Sequence, residues 1–254
     1  SWAMLLVPAL IGLGAPGGAP RPVVLAFLLL SVFGFLCRTP LLAVASGAPP
    51  RAALGWLAAY AALSAAALLP LLLAYQRWWL LAFGVPALGL LAWTVASGAG
   101  KQMSQANELL GVAGLSLGAP AAYYAATGRL DADAWLLGAL SALYLSAPVL
   151  HVNAAMLGHR AAAHPAAAAP AAAAKRRSVA FHLATFLLVT VACAASALPW
   201  LAALPFFLAL AKTARLAAAP PARVDFKRLG WREMCHASGF TAAVIAGWRL
   251  REPF

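Results

Sequence analysis

The chain has 254 residues, 64% of them apolar and only 9% charged. A soluble domain is about 25% charged, so this composition, with a mean hydropathy of +0.86, excludes soluble, disordered and disulfide-rich secreted classes. The net charge of +12 then belongs to loops at the inner face of a membrane, not to a nucleic-acid partner.

Nine apolar segments follow in chain order, at about 2–14, 22–37, 52–75, 78–97, 107–127, 132–156, 179–198, 199–213 and 231–249. A spanning helix needs about 20 apolar residues, and nine fit the length with short loops. The expected architecture is an all-α membrane protein of about nine transmembrane helices in a single polytopic domain, 1–254. The hydrophobic run starts at Ser1 with no basic region or cleavage pattern before it. We therefore expect no signal peptide and a first helix that begins upstream of Ser1. Segment two closes at Arg38. Gln76 and Arg77 alone separate segments three and four, a tight helical hairpin. Pro8, Pro86, Pro120 and Pro148 lie inside segments, which spanning helices tolerate when neighbours satisfy the freed carbonyls.

Between segments six and seven lies AAAHPAAAAPAAAAKRR, residues 161–177. Pro165 and Pro170 interrupt the alanines, so we expect a mobile cytoplasmic loop. Its basic end suits anionic headgroups, at roughly 1 kcal/mol per basic residue. With the N-terminus inside, nine spans leave only Arg21, Arg77, Arg129, Arg249 and Arg251 outside, and the other 13 of the 18 basic residues inside. That split predicts N-in, C-out. Tryptophans cluster near segment ends, as an interfacial belt does.

Cys37, Cys193 and Cys235 are far apart and form no CxxC pair, which argues against a disulfide framework or zinc site. Asp131 and Asp133 precede segment six and suit an N-cap. The inner ends are richer. Arg38, Lys101, Asn107, Glu108, His151, Asn153, Arg228, Arg232 and His236 are the candidate substrate-binding residues, with His182 nearby on segment seven. Ionisable groups near hydrocarbon are costly and line cavities or pair with one another. A basic, amide-rich pocket suits a phosphate. Two residues apart on a helix is about 200°, so His151 and Asn153 cannot both face one centre; Asn153 is expected to be the more central. The plainer readings are that Asn107 and Glu108 cap segment five and that His182 and His236 bond backbone at the interface. No HExxH, DxxxD, GxSxG or Walker loop is present, so no catalytic residue, metal or cofactor is assigned.

Ser1-Trp2-Ala3-Met4-Leu5-Leu6-Val7-Pro8 resembles the opening of the YwiC-like family of bacterial membrane proteins. Asn107-Glu108-Leu109-Leu110-Gly111 with Tyr123-Tyr124-Ala125-Ala126-Thr127-Gly128 is similar to its central segment, and Arg228-Leu229-Gly230-Trp231-Arg232-Glu233 with His236 to its last helix. The resemblance implies an integral membrane fold and brings no specific reaction. A more distant likeness is to UbiA-type prenyltransferases, which share nine helices with the N-terminus inside. Asn107, Gly111, Pro120 and Ala125-Ala126-Thr127-Gly128 are similar to the fifth helix of their haem-type farnesyl transferases. Those enzymes hold magnesium and an isoprenoid diphosphate on two aspartate-rich motifs. The corresponding places here read Phe35-Leu36-Cys37-Arg38-Thr39-Pro40 and His151-Val152-Asn153-Ala154-Ala155-Met156, with no aspartate. Magnesium wants carboxylate oxygens, so it is not expected here. The likeness implies a cavity open to the cytoplasmic side for an isoprenoid or other membrane lipid, its diphosphate held by arginine and lysine. Transferase chemistry, if any, would be divergent. The alternative is a small-molecule transporter or a non-catalytic assembly partner; protein partners stay open.

Overall fold

The computed structural model describes residues 2–45, 51–96, 104–218 and 225–251. Among these residues all regular structure is helical. The helices are α1 (Trp2–Gly14), α2 (Arg21–Leu36), α3 (Arg38–Ala45), α4 (Arg51–Leu73), α5 (Leu80–Ala96), α6 (Gln105–Ser116), α7 (Gly118–Thr127), α8 (Ala132–Ala163), α9 (Ala168–Ala194), α10 (Ala203–Ala218) and α11 (Phe226–Arg251). Short 3₁₀ turns, Pro165–Ala167 and Trp200–Ala202, lead into α9 and α10. With α2–α3 and α6–α7 joined, each expected segment corresponds to one helical rod. Six rods are long and apolar enough to cross a membrane. The rod containing α1 and that containing α5 are apolar but shorter. Helix α11 is 26 residues long, but Lys227, Arg228, Arg232 and Glu233 make its first turns polar.

Two sequence expectations change. Segment two does not close at Arg38: the chain stays helical through Cys37, and Arg21–Ala45 forms one 25-residue rod. Pro40 falls in the first turn of α3, where a missing N–H costs nothing. Residues 161–177 are not a loop. Helix α8 continues to Ala163, the chain turns over 164–167, and α9 is already helical from Ala168. Alanine is the strongest helix former, and each proline occupies a tolerated place. Pro165 opens the 3₁₀ turn and Pro170 lies in the first turn of α9.

Backbone proximity divides the chain into two compact units, residues 1–141 and 142–254. In the first, α1 lies against α7. A Cβ on Gly12 would run into Ala119 O, Ala122 Cβ and Tyr123 N, so the glycine lets two backbones approach as small residues do between membrane helices. Ala9, Leu13, Val23, Phe27, Leu71, Leu80, Ala122 and Tyr124 form the core around this contact. Gln76 turns the α4–α5 hairpin at φ +56°. Arg77 then donates from Nε to Ala125 O at 3.0 Å and lies 5.8 Å over the Tyr124 ring. It satisfies one of the last carbonyls of α7, where a cation is favourable. Gly128 ends α7 in the left-handed region at φ +77°. Asp131 caps α8, accepting from Ala134 N at 3.3 Å and from the Tyr123 hydroxyl at 3.2 Å. Leu54, Trp56, Leu63 and Leu69 on α4, and Val85, Leu88 and Trp93 on α5, point outward. Such a run of large exposed apolar side chains suits lipid and not water.

The second unit is centred on three rings. Tyr144 stacks on Phe240 with centroids 3.9 Å apart, and Phe206 meets both edge-on at 5.6 and 6.0 Å. At the far end of α11, Gly247 packs on Pro199, and Arg251 donates to Ser196 O and Ala197 O at 2.9 Å.

Candidate functional site

The buried face of α9 reads Ala174, Ser178, His182, Thr185, Val189 and Cys193. Steps of three and four put these residues on one side of a helix, so polar groups penetrate an otherwise apolar stripe. On α10, Phe206, Ala209 and Thr213 repeat in the same way. Helix α8 contributes His151, 4% exposed.

These faces bring a polar cluster together within residues 142–254. His151 Nδ1 and Thr213 Oγ1 are 3.0 Å apart. The His151 and His182 rings meet edge-on, centroids 6.4 Å apart. His182 Nδ1 donates to Ser178 O at 2.7 Å. A carbonyl only accepts, so Nδ1 carries the hydrogen and the neutral ring presents Nε2 as an acceptor. His182 Nε2 and Ser178 Oγ are buried and have no hydrogen-bond partner. Next to Thr213, Lys212 donates to both oxygens of Glu233 at 2.7 and 2.8 Å, a bidentate ion pair half-shielded from solvent. His236 lies one turn beyond Glu233 on α11 and is half-buried, and its carbonyl accepts from the Tyr144 hydroxyl at 3.0 Å.

Of the sequence candidates, His151 and His236 enter this cluster. Asn153 is only half-buried, so the order expected for the pair is reversed: His151 is the interior one. The 200° between them had to place one outside, and Thr213 selects the histidine. Arg228 and Arg232 are exposed on the first turns of α11, where Asp225 caps the helix by accepting from Arg228 N at 3.0 Å. In the first unit, Arg38 opens α3 and is exposed. Asn107 Oδ1 accepts from Trp93 Nε1 at 3.1 Å, tying α6 to α5. Ser104 caps α6 by accepting from Asn107 N at 3.3 Å, and Glu108 is exposed in the first turn. The cap is therefore Ser104, not Asn107 or Glu108. Lys101 lies outside the described residues.

Thr213, Ser178, Tyr144 and the pairing of Lys212 with Glu233 are features of the cluster that the sequence does not single out. The three-and-four repeat in α9 and α10 was the available signal for the first two. Among the described residues no three His, Cys, Asp or Glu side chains stand together as a metal site.

Helical rods of membrane length with outward apolar faces define the class: an all-α, multi-pass membrane protein. Within that class, the family model for YwiC-like protein matches residues 1–123. The resemblance read from the Trp2-Ala3-Met4 opening is borne out over this stretch, which runs from α1 into α7. None of the curated proteins and none of the solved structures matches the chain.

Proposed function

We propose that this protein binds an isoprenoid or other lipid with an anionic headgroup at the basic end of residues 142–254, on the cytoplasmic side of a bacterial inner membrane. One observation carries the reading. The cluster of His151, His182, Thr213 and Lys212–Glu233 lies at the end of the unit where exposed basic residues gather. Arg160 near the end of α8, Lys175–Arg177 early in α9, Arg215 late in α10 and Arg228 and Arg232 early in α11 supply that charge. At the opposite helix ends of this unit only Arg249 and Arg251 are basic. A collar of this sign above a polar interior attracts phosphate, and the excess favours the cytoplasmic side. The isoprenoid class comes from the UbiA-type likeness alone. Arginine, not magnesium, would meet the phosphate, because the corresponding motif places hold no carboxylate.

The test uses the full chain in nanodiscs with farnesyl diphosphate as probe. Saturable binding should survive EDTA, weaken at high salt and fall several-fold in Arg228→Gln/Arg232→Gln. Binding that appears only with added magnesium would remove the metal-free form, and no saturable binding would remove the reading.

A further inference from the structure

We propose that the His182–Ser178 face of α9 is a docking site for a neutral hydroxyl headgroup, so that the lipid bound at this end of the protein is, or includes, an alcohol. The inference rests on the lipid-binding reading above and names a second headgroup chemistry within it.

Apart from Ser141, whose Oγ is also buried and unpartnered, most buried helical hydroxyls of the chain are tied off. Ser31, Ser64, Ser116, Ser146, Thr127, Thr185, Thr190 and Thr241 each donate to the carbonyl four residues earlier, at 2.7 to 2.9 Å. That is the ordinary fate of such groups inside a membrane helix. Ser178 does not follow it: it is 1% exposed and its Oγ has no partner. One turn later on the same face, His182 is 2% exposed with Nε2 equally unpartnered. Four buried side-chain atoms among the described residues lack a partner, and two of them are this adjacent pair. An unpaired buried polar atom costs about 1–3 kcal/mol, and two together on one face call for a common occupant.

The hydrogen bonds already made decide what the occupant is. Nδ1 of His182 is committed as donor to Ser178 O, which leaves Nε2 a lone pair that needs a donor. Ser178 Oγ can donate and accept. A fully ionised phosphate or carboxylate offers only acceptors, so it satisfies Ser178 and leaves Nε2 unmet. A metal cation would want a carboxylate or a third ligand, but Glu233 is taken by Lys212 and no third ligand group stands by among the described residues. An alcohol has both functions the pair lacks: an O–H to give Nε2 and an oxygen to accept from Ser178. The His151 ring, held by Thr213, walls the site edge-on. His182 lies five residues beyond Arg177, about 7–8 Å along the helix. His182 therefore lies below the basic collar, whereas Ser178, next to Arg177, lies at its level.

The experiment compares three probes with one tail: farnesol, its methyl ether and farnesyl diphosphate. Native mass spectrometry of the full chain from nanodiscs counts bound copies. We expect one farnesol per chain and at least roughly tenfold weaker binding of the methyl ether, which has no hydrogen to give Nε2. His182→Phe and Ser178→Ala should each weaken farnesol severalfold or more and spare farnesyl diphosphate. Arg228→Gln/Arg232→Gln should do the reverse. If His182→Phe fails to fold, Ser178→Ala, which removes one oxygen, and the ether comparison on the unaltered chain still decide. Equal binding of alcohol and ether, or farnesol binding indifferent to Ser178→Ala, would leave the two atoms to water and overturn the proposal. No farnesol binding overturns it as well. Farnesol bound without farnesyl diphosphate would defeat the anionic-headgroup reading and leave this one standing.

Discussion

The hydrogen bond between His151 and Thr213 shows what a single hydroxyl does inside an apolar bundle. Removing it by Thr213→Val keeps the shape and leaves a buried imidazole nitrogen unmet, at about 1–3 kcal/mol. Thermal unfolding of the full chain in detergent should register the loss as a lower Tm; an unchanged Tm would say the bond is not made. Lys212 and Glu233 behave differently because they are a pair. Lys212→Met alone strands a half-shielded carboxylate, whereas Lys212→Met with Glu233→Met removes both charges. The double variant should be more stable than either single one, since a paired charge contributes little net while an orphan is costly. Additive losses in that cycle would contradict the pairing. Polar residues inside apolar runs are visible in a sequence, so His151 and His236 could be selected. Their partners were not. Thr213 looks like the end of a span, and Lys212 like a loop cation, until the helix is seen to continue to Ala218. Spacing says that one of His151 and Asn153 faces inward but not which.

Segment positions were legible at the level of elements because a run of about 20 apolar residues is the strongest signal a membrane chain carries. Ends were less so. Prolines at 165 and 170 read as breaks, yet a proline in a first turn interrupts nothing. Cα–Cα approach was invisible, since it depends on which face of α1 meets α7. Gly12 and Gly111 make this testable with one substitution. A Cβ at Gly12 meets backbone of α7, whereas at Gly111, inside α6, it meets nothing within 4 Å. Gly12→Ala should therefore destabilise by about 1–3 kcal/mol, and Gly111→Ala should stabilise by about 0.5–1 kcal/mol through helix propensity. The two shifts in Tm should have opposite signs; a Tm unchanged or raised by Gly12→Ala would mean that α1 and α7 do not pack through Gly12.

Orientation belongs to the whole molecule, and one helix is long enough to test it. Helix α8 has 32 residues, about 48 Å at 1.5 Å per residue, against a hydrocarbon core of about 30 Å. It is long enough for its two ends to emerge on opposite sides of the membrane, and we expect them to do so. Ala132 opens α8, and the cations Arg160 and Lys175–Arg177 follow at and beyond its other end. By the cytoplasmic preference of lysine and arginine, we expect the second end inside. In a chain with Cys37, Cys193 and Cys235 replaced, Ala132→Cys should react with an impermeant maleimide on intact cells. Ala172→Cys, exposed on α9, should react only after permeabilisation. The comparison is internal, because a crossing α8 puts one bilayer between the two positions whichever way the chain faces. A reversed pattern would turn the protein over and place the basic collar, with the lipid site proposed beneath it, at the outer leaflet. Labelling of both from outside would mean that α8 does not cross at all.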